Sequence, residues 1–361
     1  VAPMREEMRG FLKRAAEYTL TPMPAMLRLG TRAPGLGDAQ SMRKVYRLGD
    51  VTPDRMTGAR EKVLEVLRDY GGLSFTLGEV AEMASVGTSV VKGLVKLGAV
   101  SEEEAPRDTP YPQLDPDYGG KELSADQAAG AEALRTALRA DTYGTTLLKG
   151  VTGSGKTEVY LEAVAECLRM GRQALVLLPE IALSGEFINR VEARFGMKPA
   201  EWHSGVTMTE RRRCWRMVGQ GDAQLVVGAR SALFLPYQNL GLIVVDEEHD
   251  TSYKQEDGVL YNARDMAVLR AAINGAQVVL ASATPSLESW ANVEAGKYTR
   301  LELTSRFGAA VMPAMAAVDM RAEDVPGGRW VSPTLRGAIQ LRLDKGEQSL
   351  IFLNRRGYAP I

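Results

Sequence analysis

The sequence is poor in the residues that would place it among secreted, metal-binding or membrane proteins. Its 361 residues include two cysteines, Cys167 and Cys214, far apart and without a C-x-x-C partner. They cannot form a disulfide framework or a zinc ligand set, so no zinc ligands are expected in this chain, and reduced thiols in a cytoplasmic setting are. Histidine is equally scarce, with only His203 and His249. Neither sign of charge dominates: 44 basic against 45 acidic side chains leave a net charge of −1, so contact with nucleic acid must come from local patches rather than a global field. No apolar run approaches the ~20 residues that a membrane helix needs, and no membrane partner is expected. The opening Val-Ala-Pro-Met-Arg-Glu-Glu has no apolar signal region, and a start on Val1 leads us to expect a piece of a longer chain.

Composition shifts divide what is there. Residues 1–53 begin with a helical pattern of Met8, Phe11, Leu12, Ala15, Ala16 and Leu20, then turn rich in Pro, Gly and Arg, and are too short for a core of their own. Residues 57–104 predict three short helices, Glu61 to Tyr70, Thr76 to Ala84 and Thr88 to Leu97, with a brief strand at Ala99 and Val100. That is the outline of a winged helix with Ser89, Lys92 and Lys96 as its polar reading residues, and equally of a small spacer domain. A Pro- and acid-rich linker, 105–122, leads to a region of strand-like runs alternating with helical patterns. The runs are Thr145 to Leu148, Ala174 to Leu178, Gln224 to Val227, Leu242 to Val245 and Gln277 to Leu280. They predict an α/β fold, a parallel sheet with helices on both faces, whose ligands bind at the carboxyl ends of the strands.

Gly150-Val151-Thr152-Gly153-Ser154-Gly155-Lys156-Thr157 fits G-x-x-x-x-G-K-[ST] at every fixed position, after an apolar run and before a helical pattern. Backbone N–H groups of such a loop cradle phosphates, Gly153 and Gly155 permit close approach, Lys156 brings positive charge, and Thr157 offers a hydroxyl to Mg²⁺. Ninety residues on, the apolar Leu242-Ile243-Val244-Val245 delivers Asp246 and Glu247 to the same sheet edge. There Asp246 is expected to hold Mg²⁺ and Glu247 to activate the attacking water, with ATP as the nucleotide. An acidic strand end alone would more often be helix-cap chemistry; the P-loop upstream turns the balance. The basic run Arg211-Arg212-Arg213-Cys214-Trp215-Arg216 reads as the solvated face of a helix rather than a nucleic-acid patch.

With these boxes the chain resembles the superfamily 2 helicases. Asp246-Glu247-Glu248-His249 matches their D-E-x-H box and Ser282-Ala283-Thr284 their S-A-T box, in order and at fitting spacing. Leu178-Pro179-Glu180, His203-Ser204-Gly205, Gly228-Ala229-Arg230-Ser231 and Phe352-Leu353-Asn354-Arg355-Arg356-Gly357-Tyr358 resemble, more closely, the replication-restart DNA helicases within that superfamily. The resemblance implies a RecA-like first lobe over 123–325, a second lobe begun at 326–361, and residues 1–53 as the remnant of a domain that binds a 3′ DNA end. It implies that Gln127 contacts adenine, although Ser124 to Gln127 also reads as a capping box. Arg230 and Ser231 would line the single-strand path. His249, Ser282 and Thr284 would couple hydrolysis to the strand, Tyr253 would stack on a base and Lys254 touch phosphate; His203 reads simply as a satisfied polar residue at a strand end. In the second lobe, a helix over Ser332 to Arg342 and a strand over Gln348 to Leu353 are expected.

A complete motor of this family also needs an arginine finger and a paired-cysteine zinc module, both expected outside this sequence. For the parent protein the resemblance implies ATP-dependent 3′→5′ unwinding, recognition of stalled or branched forks, and initiation of primosome assembly. Partners would be single-stranded and forked DNA, primosome proteins and single-strand binding protein, with the chain a monomer. A translocase subunit that separates no strands, and a non-catalytic fork-binding scaffold, are the alternatives.

Overall fold

The structure, a computed structural model, describes residues 3–33, 35, 41–70, 73–179, 185–304, 314–323 and 331–352. The chain divides into two units, 1–308 and 309–361.

Two helices, α1 (Glu6–Tyr18) and α2 (Met23–Gly30), open the chain. α1 buries the expected Met8, Phe11, Leu12, Ala15 and Ala16. Leu20 departs from the pattern. The helix has already closed where the Thr19 hydroxyl donates to the Ala15 carbonyl (2.7 Å), and Leu20 stands 91% exposed with φ +52°.

Next come β1 (Met42–Leu48), the helices α3 (Gly58–Asp69), α4 (Leu77–Met83) and α5 (Thr88–Lys96), and β2 (Val100–Pro106). The helices enclose Val63, Leu64, Leu67, Val80, Val91 and Leu94, and Thr76 with Glu79 forms a capping box at the start of α4. β1 and β2 pair antiparallel from Met42 opposite Pro106 to Leu48 opposite Val100. The brief strand expected at Ala99 and Val100 therefore runs on through the acidic residues to Pro106. It pairs because Glu102 accepts from Lys44 Nζ (2.5 Å) and from the Tyr46 hydroxyl (2.8 Å).

The remaining elements of the first unit are α6 (Ala125–Arg139), β3 (Gly144–Gly150), α7 (Lys156–Arg169), β4 (Gln173–Leu177), α8 (Gly185–Phe195), β5 (Ala200–Trp202), α9 (Met208–Gln220), β6 (Leu225–Gly228), β7 (Leu240–Asp246), the short strands β8 (Lys254–Gln255) and β9 (Tyr261–Asn262), α10 (Ala263–Asn274), β10 (Gln277–Ser282), α11 (Leu287–Glu294) and β11 (Thr299–Leu303). Seven strands form one parallel sheet in the order β11-β3-β10-β7-β4-β6-β5. All five expected runs are strands of it. The two outermost were not anticipated, because β5 is three residues long and β11 interleaves charges with its leucines.

Successive residues of a strand face opposite sides of the sheet, so Leu242 and Val244 join α6, α7 and α8 on one face. Ile243 and Val245 join α9 and α10 on the other. α1 belongs to this second layer: Phe11 lies 5.5 Å, centroid to centroid, from Phe234, whose ring meets Tyr261 edge-on at 5.2 Å. Beneath them Arg270 is fully buried and donates to the carbonyls of Leu233 and Leu235. It also stacks over Phe11 and Tyr237, and desolvation pushes its guanidinium down to about 10.

The basic run of α9 does not form a merely solvated face. Arg212 and Arg216 reach the buried carboxylate of Asp108 at 3.1 and 2.7 Å. Arg213 donates to the Thr109 carbonyl (2.7 Å) and lies 4.1 Å from the centroid of Tyr111. The cluster thus fastens the segment after β2 to the sheet's second layer.

In the second unit α12 (Pro333–Asp344) forms as expected, with the Ser332 hydroxyl accepting from Leu335 N and Pro333 at the first helical position. The strand expected at 348–353 is absent over 348–352, where Leu350, Ile351 and Phe352 stand exposed and pair with no strand among the described residues. Residues 353–358 of the last family box lie outside the described residues, as do 180–184.

Two outcomes are expected. Phe11→Ala should lower the stability of the lobe by about 3 kcal/mol in urea unfolding, since the ring fills the lobe's own core. Burial works to raise the Asp108 carboxyl, but Arg212 and Arg216 outweigh it and hold the group below its ordinary value. A depressed carboxylate stabilises the fold above the unfolded-state value of about 3.9, and that contribution is lost as pH falls through the folded value. The stability gap between wild type and Asp108→Asn, followed by denaturation at several pH values, should be full at pH 6 and close below about pH 4.

Candidate functional site

Three adjacent strands end at one edge of the sheet. β3 runs into the P-loop, β7 ends on Asp246, and β10, hydrogen-bonded between them, ends on Ser282. The loop from Gly150 to α7 is tight. Gly153 and Gly155 sit at φ +82° and +80°, and a Cβ on Gly155 would stand 2.3 Å from Nε2 of Gln127. Lys156, 8% exposed, donates from Nζ to the Gly150 carbonyl at 2.9 Å. Ser154 Oγ is buried and has no hydrogen-bond partner among the described residues. A left-handed loop opening a helix, with an idle hydroxyl and an ammonium resting on a backbone carbonyl, is suited to an incoming polyphosphate.

Gln127 fulfils the capping-box reading. Ser124 N donates to its Oε1 (3.0 Å) and Gln127 N donates to Ser124 Oγ (3.4 Å). Its Nε2 in turn donates to the Ser154 carbonyl at 2.8 Å, so the side chain braces the P-loop. Gln127 also lines the cavity of about 290 Å³ that opens here, together with Lys121, Glu122, Lys156, Thr157, Arg190, Asp246 and Glu247. The sequence reading missed Lys121 and Arg190. Both are fixed by Glu158, which accepts from them at 2.8 and 2.9 Å and whose position next to Thr157 was the only clue.

Asp246 is held from three sides. Glu247 N donates to Oδ1 (3.0 Å), the Tyr160 hydroxyl to Oδ2 (2.8 Å) and the Tyr253 hydroxyl to the main-chain carbonyl (2.6 Å). Burial pushes its carboxyl up, the neighbouring Glu247 charge adds to that, and the Tyr160 and Glu247 N–H bonds oppose it. Glu247 adopts φ +46°, a left-handed conformation costing on the order of 1 kcal/mol in a non-glycine residue. The turn carries its carboxylate away from the strand to within 3.6 Å of His249 Nδ1. His249 Nδ1 also lies 2.7 Å from Ser282 Oγ, which accepts from Thr284 N at 3.0 Å, so the acidic box and the S-A-T box are joined directly.

Two sequence expectations change. Tyr253 is buried, 1% exposed, with its hydroxyl donating to the carbonyls of Asp246 and Leu177; a ring enclosed this way offers no stacking face. Arg230, expected on phosphates, donates to the Ser252 carbonyl (2.6 Å) and the Lys254 carbonyl (3.3 Å), tying its segment to the loop after the acidic box. Lys254 is exposed, and Ser231 Oγ accepts from Trp202 Nε1 at 3.1 Å. His203 meets the bland reading, with Nε2 3.2 Å from Glu201 and Nδ1 accepting from Gly205 N.

Glu248, unassigned from sequence, braces the start of α11, whose N-cap is Ser286. Its fully enclosed carboxylate accepts from Ser286 N (2.7 Å), Ser286 Oγ (2.9 Å) and Ser289 Oγ (2.9 Å), with Arg264 at 3.4 Å. Of two neighbouring glutamates, one therefore faces the cavity and the other anchors α11.

The DEAD/DEAH box helicase family matches residues 128–293, which span both the P-loop and the acidic box. Over those residues the lobe is similar to a DEAD/DEAH box helicase domain. The chain is also similar to replication restart proteins PriA. That of Rickettsia felis is 50% identical over 216 residues, covering 60% of this chain and 33% of the relative. That of Bacillus subtilis is 40% identical over 309 residues, covering 84% and 38%. The chain thus spans about a third of the length of the PriA proteins it matches. A solved structure of RecG bound to a three-way DNA junction aligns at a TM-score of 0.42 and 19% identity, covering 63% of this chain and 29% of RecG, too distant to carry an argument. The helicase domain implies use of ATP. Among the described residues there is no His, Cys, Asp and Glu cluster that could hold a metal ion, and no helix long and apolar enough to cross a membrane.

Glu248→Ala should cost about 3 kcal/mol in urea unfolding, because it leaves the donors of Ser286 and Ser289 without their acceptor. Glu247→Ala, at a half-exposed position, should stay within about 1 kcal/mol.

Proposed function

We propose that this chain supplies the first motor lobe of an ATP-dependent DNA helicase that restarts replication. The observation that carries the reading is the meeting of Lys156, Thr157, Asp246 and Glu247 around one cavity at the carboxyl edge of the sheet. Lys156 and the backbone of residues 153–157 bind the phosphates, and Thr157 with Asp246 would hold Mg²⁺. The free Ser154 hydroxyl and the glycine cradle fit that assignment. Mg²⁺, when bound, would neutralise charge between the β and γ phosphates. Glu247 orients the attacking water and accepts its proton, held by its left-handed turn with the carboxylate free of the strand. His249, Ser282 and Thr284 pass the state of that site to the nucleic acid, with Ser231 and Lys254 toward the strand and Arg230 acting through the loop it holds.

The finer features rest on resemblance to PriA proteins: 3′→5′ travel, recognition of stalled or branched forks, and initiation of primosome assembly with primosome proteins and single-strand binding protein. So do an arginine finger and a zinc module elsewhere in the parent protein, and Gln127 as a contact to adenine. The unit of α3, α4, α5 and the β1–β2 ribbon is read as the winged helix of that protein, and residues 1–53 as part of its 3′-end-binding region.

Binding of a fluorescent ATP analogue tests the site, and turnover without DNA, with single strands and with a fork tests the motor. Lys156→Ala should weaken Mg·nucleotide binding at least about tenfold, the loss of a charged hydrogen bond or more. Glu247→Gln should retain binding while lowering any DNA-stimulated turnover by about 10² to 10³. Unchanged binding in Lys156→Ala would overturn the assignment. Fork-stimulated turnover without displacement of a labelled strand would make the chain part of a translocase instead.

A further inference from the structure

Tyr160 has no part in the reading above, although its hydroxyl touches the acidic box. It sits on α7 one turn beyond Thr157, fully buried in the apolar layer that holds Leu148, Val164, Val191 and Val244. At such a position a phenylalanine would fill the same space, and the added hydroxyl must find a partner or cost desolvation energy. Its partner is Asp246 Oδ2 at 2.8 Å, across from the helix that begins with Lys156 and Thr157. Glu247 N occupies Oδ1 at 3.0 Å. With one donor on each oxygen and the Tyr253 hydroxyl on the main-chain carbonyl, neither the carboxylate plane nor the backbone beneath it is free to turn. One lone pair on each oxygen is left for the cavity that Asp246 shares with Thr157 and Lys156.

We infer that Tyr160 is a positioning residue, which fixes the Asp246 carboxylate in the orientation that receives the divalent cation accompanying the nucleotide. This rests on the nucleotide reading above and adds a second tie between the P-loop helix and the acidic box: Thr157 meets the cation, and Tyr160, three residues on along the same helix face, sets the carboxylate opposite it. A small rotation of Asp246 would leave phosphate binding intact and weaken only the part that depends on the cation.

The test uses the whole chain and a fluorescent ATP analogue, bound in EDTA and then across a Mg²⁺ titration. Tyr160→Phe keeps the ring and removes the hydroxyl. It should raise the Mg²⁺ midpoint about tenfold, as loss of one hydrogen bond to a charged group would. Affinity for the analogue in EDTA should stay within about twofold, because the phosphate contacts of the P-loop are untouched. In an Asp246→Ala background the same substitution should move the midpoint no further, since the carboxylate that Tyr160 orients is then gone. An unchanged midpoint in Tyr160→Phe, with a normal wild-type response to Mg²⁺, overturns the inference alone. A parallel loss of affinity in EDTA overturns it too, by making Tyr160 a packing residue. A wild-type chain that binds the analogue equally well in EDTA and in Mg²⁺ overturns the cation assignment and the inference with it.

Discussion

The functional geometry depends on the hydrogen-bonded ladder that holds β3, β10 and β7 side by side and parallel. Parallel strands share a direction, so whatever follows each must emerge at the same edge. The P-loop, the acidic box and the S-A-T box are 90 and 36 positions apart along the chain, taking Lys156, Asp246 and Ser282 as markers, yet become neighbours through the register of three strands. The side-chain ties, Tyr160 to Asp246 and His249 to Ser282, then trim that placement. They could not create it.

Much of this was legible in the sequence because the central strands are buried on both faces and therefore appear as unbroken apolar runs, each ending where the chemistry starts. The edges were not. β11 has a solvated side and so carries Arg300 and Glu302, and β5 is too short to make a pattern. Motif matching located Lys156, Asp246, Glu247 and His249 but assigned Tyr253 the wrong surroundings: an aromatic in a polar loop reads as exposed, and only the three-dimensional path of the loop turns that ring inward. Arg230 likewise reads as a free cation until the Ser252 carbonyl stands beside it. The amphipathic stripe of α1 was plain, but a stripe does not name its partner, and here the partner is the helicase lobe itself.

Glu247 and Glu248 show how one strand end divides its labour. A left-handed residue reverses the alternation of side chains, so that Glu247 turns toward the cavity while Glu248 goes into the protein to meet Ser286, Ser289 and Arg264. Strain at one position is offset by a satisfied network at the next. The two glutamates of this box thus have different surroundings, one at the cavity and one inside the protein.

Arg270 remains. A guanidinium wholly out of water and, among the described residues, paired with no carboxylate, is kept by two carbonyls of the turn that follows Arg230 and by the faces of Phe11 and Tyr237. None of these neighbours can withdraw without leaving a bare charge in an apolar interior, so they are obliged to travel together. The first helix of the chain is in that sense built into the lobe rather than laid against it. Any displacement of α1 would have to be taken up by the Leu233 and Leu235 carbonyls, in and just after the turn that begins at Arg230.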